Sequence, residues 1–346
     1  MEKQEILSLT LPELEAVVTE MGQPKFRAKQ IFSWLHQKRV TDFSEMTTLS
    51  LPFRECLAST FCINRLKIEK KLASSVDDTV KYLYQLPDGN YVETVCMQYH
   101  HGTSLCISTQ VGCRMGCQFC ASAIAGFIRH LTPAEMLLQI YETERAQNCK
   151  ISSLVLMGIG EPLDNFDNVM QFLHLLSDPN GYGMSLRHVT ISTCGIVPKI
   201  LELAEKRLGL TLSVSLHCPN NAGRSAIMPI NRTYPIDMLL DACQVYFEKT
   251  GRRVTFEYAV MEQVNSAEQD AAELAERLRG LHAHVNLIPV NPVAERQYHT
   301  LRKTVLQFQK TLERYGIPAT IRRTLGSDIE AACGQLRRDA LEKHTK

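Results

Sequence analysis

Cys113, Cys117 and Cys120 stand close together in the stretch GCRMGCQFC, with three residues between the first pair and two between the second. A four-iron cluster held wholly by protein takes one thiolate per iron. Three local thiolates leave one iron open, and an open coordination position is where a metal centre binds and activates a small molecule, as in three-ligand zinc sites. A zinc knuckle is the competing reading. It requires a fourth ligand, and only Cys106 and His130 lie near enough in sequence to supply one.

Other candidate groups fall at the ends of strand-like runs. Met157-Gly158-Ile159-Gly160-Glu161-Pro162 follows one run, Ser192-Thr193-Cys194-Gly195 ends a second, Ser213-Val214-Ser215-Leu216-His217 a third, and Pro289-Val290-Asn291-Pro292 a fourth. Singly, each reads as an ordinary loop. Together, polar groups at successive strand ends converge on the mouth of a βα barrel.

The elements that must position these groups alternate. Strand-like runs at 105–109, 153–157, 188–192, 210–216, 254–260, 284–289 and 319–323 are β-branched and nearly continuous in apolarity, the pattern of buried parallel strands. Between them lie helices with start and stop signals: Thr132-Pro133-Ala134-Glu135 and Ser266 to Gln269 read as capping boxes, and Gly316 with Pro318 closes the last helix. Ile236, Leu239, Leu240, Cys243 and Phe247 form one helical face. The pattern predicts an α/β fold, a partial (β/α) barrel of six to seven units. Ahead of it, Leu11 to Met21 and Lys25 to Gln37 read as helices broken at Gly22-Gln23-Pro24. Three short strands follow (66–72, 81–86, 91–97), with Pro87-Asp88-Gly89-Asn90 as a hairpin turn. The expected division is a small helical domain with a short strand extension over 1–95 and a catalytic domain over 96–346.

The 346 residues carry a net charge of +1 and are 45% hydrophobic, so a large core is available and no global charge announces a partner. The charged start MEKQEILSLT is unlike a secretory signal, and no apolar run is long enough to span a bilayer. The expectation is a cytoplasmic protein with no membrane contact. Its twelve cysteines are then reduced thiols or ligands rather than a disulfide scaffold. Cys56, Cys62, Cys149 and Cys243 read as buried, inert thiols.

The cysteine loop, with Phe119 before its last cysteine, resembles the radical-SAM motif. QVGCRMGCQFC, LMGIGEPLDN and IEAACGQL (329–336) resemble the RlmN/Cfr family of RNA adenine methyltransferases, as do FRAKQIFSWL (26–35), YVETV (91–95), MPINRTYPI (228–236) and VNLIPVNP (285–292). The matches keep their order over almost the whole chain. The resemblance implies a radical-SAM barrel. Its 4Fe-4S cluster would sit on Cys113, Cys117 and Cys120. S-adenosylmethionine would be held by Gly160 and Glu161 at its amino group, with Ser192, Ser215, Leu216, His217 and Asn291 as further contacts.

It further implies that a first S-adenosylmethionine methylates Cys333 and that a second is cleaved to a 5′-deoxyadenosyl radical, giving two per turnover. The radical takes hydrogen from the S-methyl group, the resulting methylene radical adds to adenine, Glu93 removes the ring proton, and Cys106 attacks Cys333, leaving a transient disulfide. Gly160-Glu161-Pro162-Leu163, Ile288-Pro289-Val290-Asn291-Pro292 and Val111 before the cluster loop resemble the enzymes that methylate C2. Val290 departs from their pattern, which often has an aromatic residue there. The implied substrates are 23S rRNA and the adenosine 3′ of the anticodon in tRNA. The implied electron donor is a flavodoxin or ferredoxin. Lys25, Arg27, Lys29, Lys38 and Arg39 form the candidate RNA platform, the basic tail (Arg337, Arg338, Lys343, Lys346) is solvated, and the protein is expected to be a monomer. The alternatives are a Cfr-type C8 methyltransferase giving antibiotic resistance and a non-catalytic, metal-bearing RNA-binding factor.

Overall fold

The computed structural model describes residues 3–124, 126–290, 298–323 and 325–329. Asn291, Cys333 and the basic tail lie outside the described residues. The chain begins with β1 (Gln4–Glu5) and three helices, α1 (Leu11–Glu20), α2 (Phe26–His36) and α3 (Leu51–Thr60). Thr10 starts α1: its N–H and hydroxyl both donate to the Glu13 carboxylate, at 2.8 and 2.7 Å. Gly22, at φ +73°, turns the chain out of α1. β2 (Phe61–Cys62) returns to pair with β1 in parallel.

Ten strands then form one sheet. β3 (Lys67–Ala73), β4 (Val80–Gln85), β5 (Tyr91–Tyr99) and β6 (Gly102–Cys106) are an antiparallel meander. The turn at Pro87–Asn90 joins β4 to β5 as the sequence predicts, with the Leu86 N–H donating to the Asn90 carbonyl at 2.7 Å. A separate hairpin, β7 (Gln110–Gly112) with β8 (Phe127–His130), holds the cysteine loop between its strands. From β6 the sheet continues in parallel through β9 (Ile151–Leu156), β10 (Val189–Thr193), β11 (Thr211–Ser215), β12 (Val254–Val260), β13 (Ala283–Pro289) and β14 (Ala319–Ile321). The helices between them are α4 (Pro133–Gln147), α5 (Phe166–Ser177), α6 (Val197–Glu205), the short α7 (Asn221–Ile227), α8 (Ile236–Thr250), α9 (Glu268–Leu278) and α10 (Arg302–Arg314). This is the partial barrel that the βα alternation predicts, with an antiparallel extension joined to its first strand.

Three local expectations need correction. The parallel strands alternate rather than run apolar throughout: in β10 and β13 every second residue is only partly buried. One face (Leu154, Ile191, Leu212, Val214, Val285, Leu287) packs into the core under the helices, and the other carries Ser192, Ser213, Glu257 and Asn286 inward. An open barrel with a polar interior needs only one apolar face per strand. α9 is capped one residue later than expected, at Ala267, whose N–H donates to the Asp270 carboxylate at 2.9 Å. On α8, Tyr246 rather than Phe247 is the buried aromatic.

Because the barrel is partial, β14 and β3 are the two edges of the sheet. The segment after β14 ties them together. The Gly326 N–H donates to Asp77 at 2.8 Å, and Asp328 accepts from the Ser74 hydroxyl (2.6 Å) and from the Ser75 N–H and hydroxyl (2.6 and 2.8 Å). These bonds, the Ser74 hydroxyl foremost, hold the Asp328 carboxyl down at about 2. The chain leading to Cys333 is therefore anchored on the β3–β4 turn.

Candidate functional site

The cysteine loop leaves β7 and returns through β8, with the Cys113 N–H donating to the Gly126 carbonyl at 3.1 Å. Arg114 makes a two-pronged bond to Asp164, at 2.8 and 2.6 Å, and lies over the Phe127 ring. The Gln118 N–H donates to the Ile227 carbonyl at 2.9 Å. The loop is thus tied to the β9 end on one side and to α7 on the other. The three thiols are half-buried beside an apolar wall that includes Met228, Met261 and Phe119. Burial pushes the Cys113 thiol up to about 12, with Cys120, Glu161 and Asp164 adding to the rise. Cys117 is raised by burial and by its two neighbouring cysteines.

Thiols that resist ionising, as Cys113 and Cys117 do, are matched to a cationic group that would bind their thiolates and release their protons. Among the described residues, no three His, Cys, Asp or Glu side chains converge as ligands of a single ion. A four-iron cluster asks for a different arrangement, each thiolate on its own iron. The donor set and its apolar cradle fit such a cluster.

The strand ends lie around this loop. Gly160, at φ +109°, packs on β7 so closely that an added Cβ would stand 2.6 Å from the Gln110 Cβ; at Gly158 it would stand 2.6 Å from the Ile107 carbonyl oxygen. Here the glycine turn brings backbone against the strand that launches the cysteine loop. Gly160→Ala is expected to destabilise the protein by about 2–6 kcal/mol through strain and overpacking and to weaken iron retention. Thermal melting and iron content of the reconstituted variant test this.

Glu161 is buried, and its two carboxylate oxygens accept from the Cys194 N–H (2.7 Å) and the Leu163 N–H (3.0 Å), joining the ends of β9 and β10. Burial raises its pKa, and those two bonds oppose the rise. Ser192 and Ser215 are partly accessible at the ends of β10 and β11. His217, at φ +56°, stands edge-on to Phe119, with ring centroids 4.6 Å apart. Burial lowers its pKa to about 3, and its Nδ1 accepts the Ala259 N–H at 2.9 Å, so the neutral ring carries its proton on Nε2.

The Leu216 side chain turns away from the polar mouth and into the core. The residue's N–H donates to the Glu257 carbonyl, and its carbonyl accepts from Cys218 and Arg224. Val290 packs in the same apolar cluster as Cys117 and Phe119, and Tyr298 brings an aromatic ring to that cluster.

Glu93 and Cys106 occupy a second patch of the barrel interior. Lys81, Val95, Cys106 and Val155 are register partners in turn across β4, β5, β6 and β9. Glu93 is two residues before Val95 and shares its face. It is buried, with the Lys81 ammonium nitrogen 3.5 Å from its Oε1. Cys106 is buried with Val95 and Met97 against Met157 and Leu325. Burial lifts the Cys106 thiol to about 11, against the pull of Arg322.

Several contributors carry no local sequence signal. Arg224 is fully buried and donates to the carbonyls of Leu216 (3.1 Å), Cys194 (2.7 Å) and Ser215 (3.0 Å) and to Asn231 Oδ1 (2.9 Å), clamping the ends of β10 and β11. That accounts for Asn231 of MPINRTYPI. Glu257 accepts from Ser213 (2.7 Å) and Asn286 (2.8 Å). A charge in mid-strand was the available clue for Glu257 and Lys81.

Of the basic residues ahead of the barrel, Lys25, Lys29 and Lys38 are exposed. Arg39 is committed inward, paired with Glu144 and lying over the Tyr141 and Tyr182 rings. A cavity of about 400 Å³ whose lining includes Lys38, Arg39, Glu144, Arg145 and Lys150 lies where β9 begins, the end of the barrel away from the cysteine loop. Cys56 is exposed, and Cys62 and Cys149 are half-buried, contrary to the expectation of buried thiols; Cys243 is buried.

Residues 107–275 match the radical SAM superfamily, and residues 4–63 match the ribosomal RNA large subunit methyltransferase N-terminal domain. A crystal structure of a radical SAM methyltransferase from Sphaerobacter thermophilus superposes with a TM-score of 0.91 at 40% identity, over 96% of this chain and 98% of that one. The fold and the three-cysteine loop define a radical-SAM methyltransferase. Two proteins named "probable dual-specificity RNA methyltransferase RlmN" are similar over nearly their full length. That of Alkaliphilus oremlandii is 51% identical over 99% of this chain and 100% of its own. That of Lachnoclostridium phytofermentans is 49% identical over 99% and 96%. The chain belongs to the RlmN family of radical-SAM RNA methyltransferases.

Proposed function

We propose that the protein methylates C2 of an adenine in 23S rRNA and in tRNA, at the adenosine 3′ of the anticodon, through an S-methylated Cys333. The observation that carries this reading is the interior patch that holds Glu93 and Cys106 on one face of the sheet, with Leu325 packed against its Val95, Met97 and Cys106 side. Cys333 follows five residues after the anchored Asp328, a reach of at most about 18 Å.

Bound at Cys113, Cys117 and Cys120, a four-iron cluster would hold S-adenosylmethionine at its open iron and supply the electron that releases a 5′-deoxyadenosyl radical. Glu161, Ser192, Ser215 and His217 line the mouth in which that molecule would be oriented, Leu216 and Asn291 would add contacts, and Gly160 sets the turn that carries Glu161. Cys333 carries the methyl group from a first S-adenosylmethionine and presents it to the adenine once a second has been cleaved. An amidine carbon is electron-poor, so the new bond is made by a carbon radical. Glu93 takes the ring proton. Cys106, as thiolate, attacks the Cys333 sulfur: the S–S bond forms as the S–CH2 bond breaks. The electron pair left on the methylene takes a proton to complete the methyl group, freeing the RNA and leaving a disulfide, the kind of sulfur attack that a reachable partner thiol permits. An electron donor of the flavodoxin or ferredoxin type, a cytoplasmic setting, a monomeric state and a helical platform within 1–95 presenting Lys25, Lys29 and Lys38 complete the reading.

Methylation at C8 is the other chemistry of this class. Gly160-Glu161-Pro162-Leu163 and Val111 favour C2. Mapping the methylated carbon separates the two, because the C2 reading requires loss of the C2 hydrogen.

A further inference from the structure

We propose that Lys81 is the positioning residue for Glu93, holding that carboxylate as an aimed anion next to Cys106. The inference rests on the reading of Glu93 as the proton acceptor. Lys81 is fully buried in β4, and Glu93 is 3% exposed. Their charged ends are 3.5 Å apart. Lys81 shares its face with Glu93 and stands in one lateral row with Val95 and Cys106.

A buried ion pair is weak evidence for stability, since apolar residues of similar volume often serve as well. Neighbouring Val95 and Met97 show that this patch accepts apolar side chains. An ammonium kept here is explained by the work of the carboxylate beside it. A base that faces an apolar patch loses its charge to burial unless an opposite charge within about 4–6 Å restores it. Among the described residues, the charged and titratable groups at this patch include Lys81 from β4, Cys106 from β6 and, acting on Cys106, Arg322 from the segment after β14.

In the step itself the C2–H bond breaks, its electron pair stays on the adenine, the proton goes to a Glu93 oxygen, and the unpaired electron left by the radical addition would pass to a one-electron acceptor, a role the oxidised cluster would fill. Lys81 takes no proton and undergoes no redox change. It fixes the direction of the accepting lone pair and places a positive charge beside that oxygen.

The test uses the full-length, cluster-loaded enzyme with RNA and S-adenosylmethionine, and reads methylation rate against pH together with the covalent protein–RNA adduct. In Lys81→Met the acidic midpoint of the rate profile is expected to move up by about 1–3 pH units, with adduct accumulating at neutral pH and clearing as the pH is raised. Lys81→Arg is expected to keep the original midpoint at a lower maximal rate. If Lys81→Met does not load its cluster, Lys81→Gln carries the same expectation. An equal loss of rate at every pH with an unmoved midpoint, or a rate like the parent's, overturns the proposal. Glu93→Gln is run beside them. Sustained turnover in that variant defeats the reading of Glu93 itself, whereas a stalled Glu93→Gln beside an unshifted Lys81→Met defeats the Lys81 inference alone.

Discussion

Cys106→Ala is expected to turn the enzyme into a single-use reagent, with its RNA left covalently attached through Cys333. The substitution removes the thiol that would release the product and leaves the steps before release intact. Cys106 is well placed for that one task. It is buried on the interior face of β6, against Leu325 from the segment that leads to Cys333. Its thiol is pushed up to about 11 by burial, so at neutral pH it is held largely protonated. Arg322 and Lys81 draw it down and Glu93 pushes it up, which makes its reactivity dependent on the charge state of this patch. Denaturing electrophoresis and intact-mass analysis should find no more than one methylene transferred per enzyme, all of it bridging protein and RNA. Repeated turnover in Cys106→Ala would show that release uses another group.

The second large effect is expected at Cys117. Cys117→Ala should lower bound iron well below the four per chain of a full cluster and reduce both 5′-deoxyadenosine and methyladenosine to background. Cys117 packs in the apolar cluster that includes Phe119, Met228 and Val290. An alanine there leaves the remaining wall in place, so the variant is expected to fold and its RNA affinity to stay near that of the parent. Iron analysis, melting temperature and RNA binding, measured on one preparation, separate loss of the cluster from loss of the fold. A variant that keeps its iron and still cleaves S-adenosylmethionine would overturn the ligand assignment.

Much of the frame was legible because its signals are local. The Thr132 cap is one: Thr132 and Glu135 bond each other's backbone N–H at 3.2 and 2.9 Å. The Pro87–Asn90 turn and the β-branched strand runs are others. The cysteine loop was legible because three ligands of one type at short spacing are rare by accident. Long-range pairings were not. Asp328 and Ser74 lie 254 residues apart, and nothing near either marks the other as its partner. Lys81 reads as a surface charge until the register shows which face it occupies. Arg224 looks like an ordinary helix arginine, and its carbonyl partners come from two strands. Leu216 is a contact that the resemblance implies, and its side chain turns to the core. The alternation of the parallel strands was hidden because serine and threonine can line an interior as readily as they can cap a loop.

The most direct measurement follows the adenine hydrogen. The reconstituted, reduced enzyme is incubated anaerobically with S-adenosylmethionine and protein-free 23S rRNA carrying deuterium at adenine C2. The digested nucleosides are then examined by mass spectrometry. The account predicts methyladenosine with no deuterium left at C2, formed together with 5′-deoxyadenosine. Methylated adenosine that keeps its C2 deuterium, or a fully loaded enzyme that forms neither product, would contradict it.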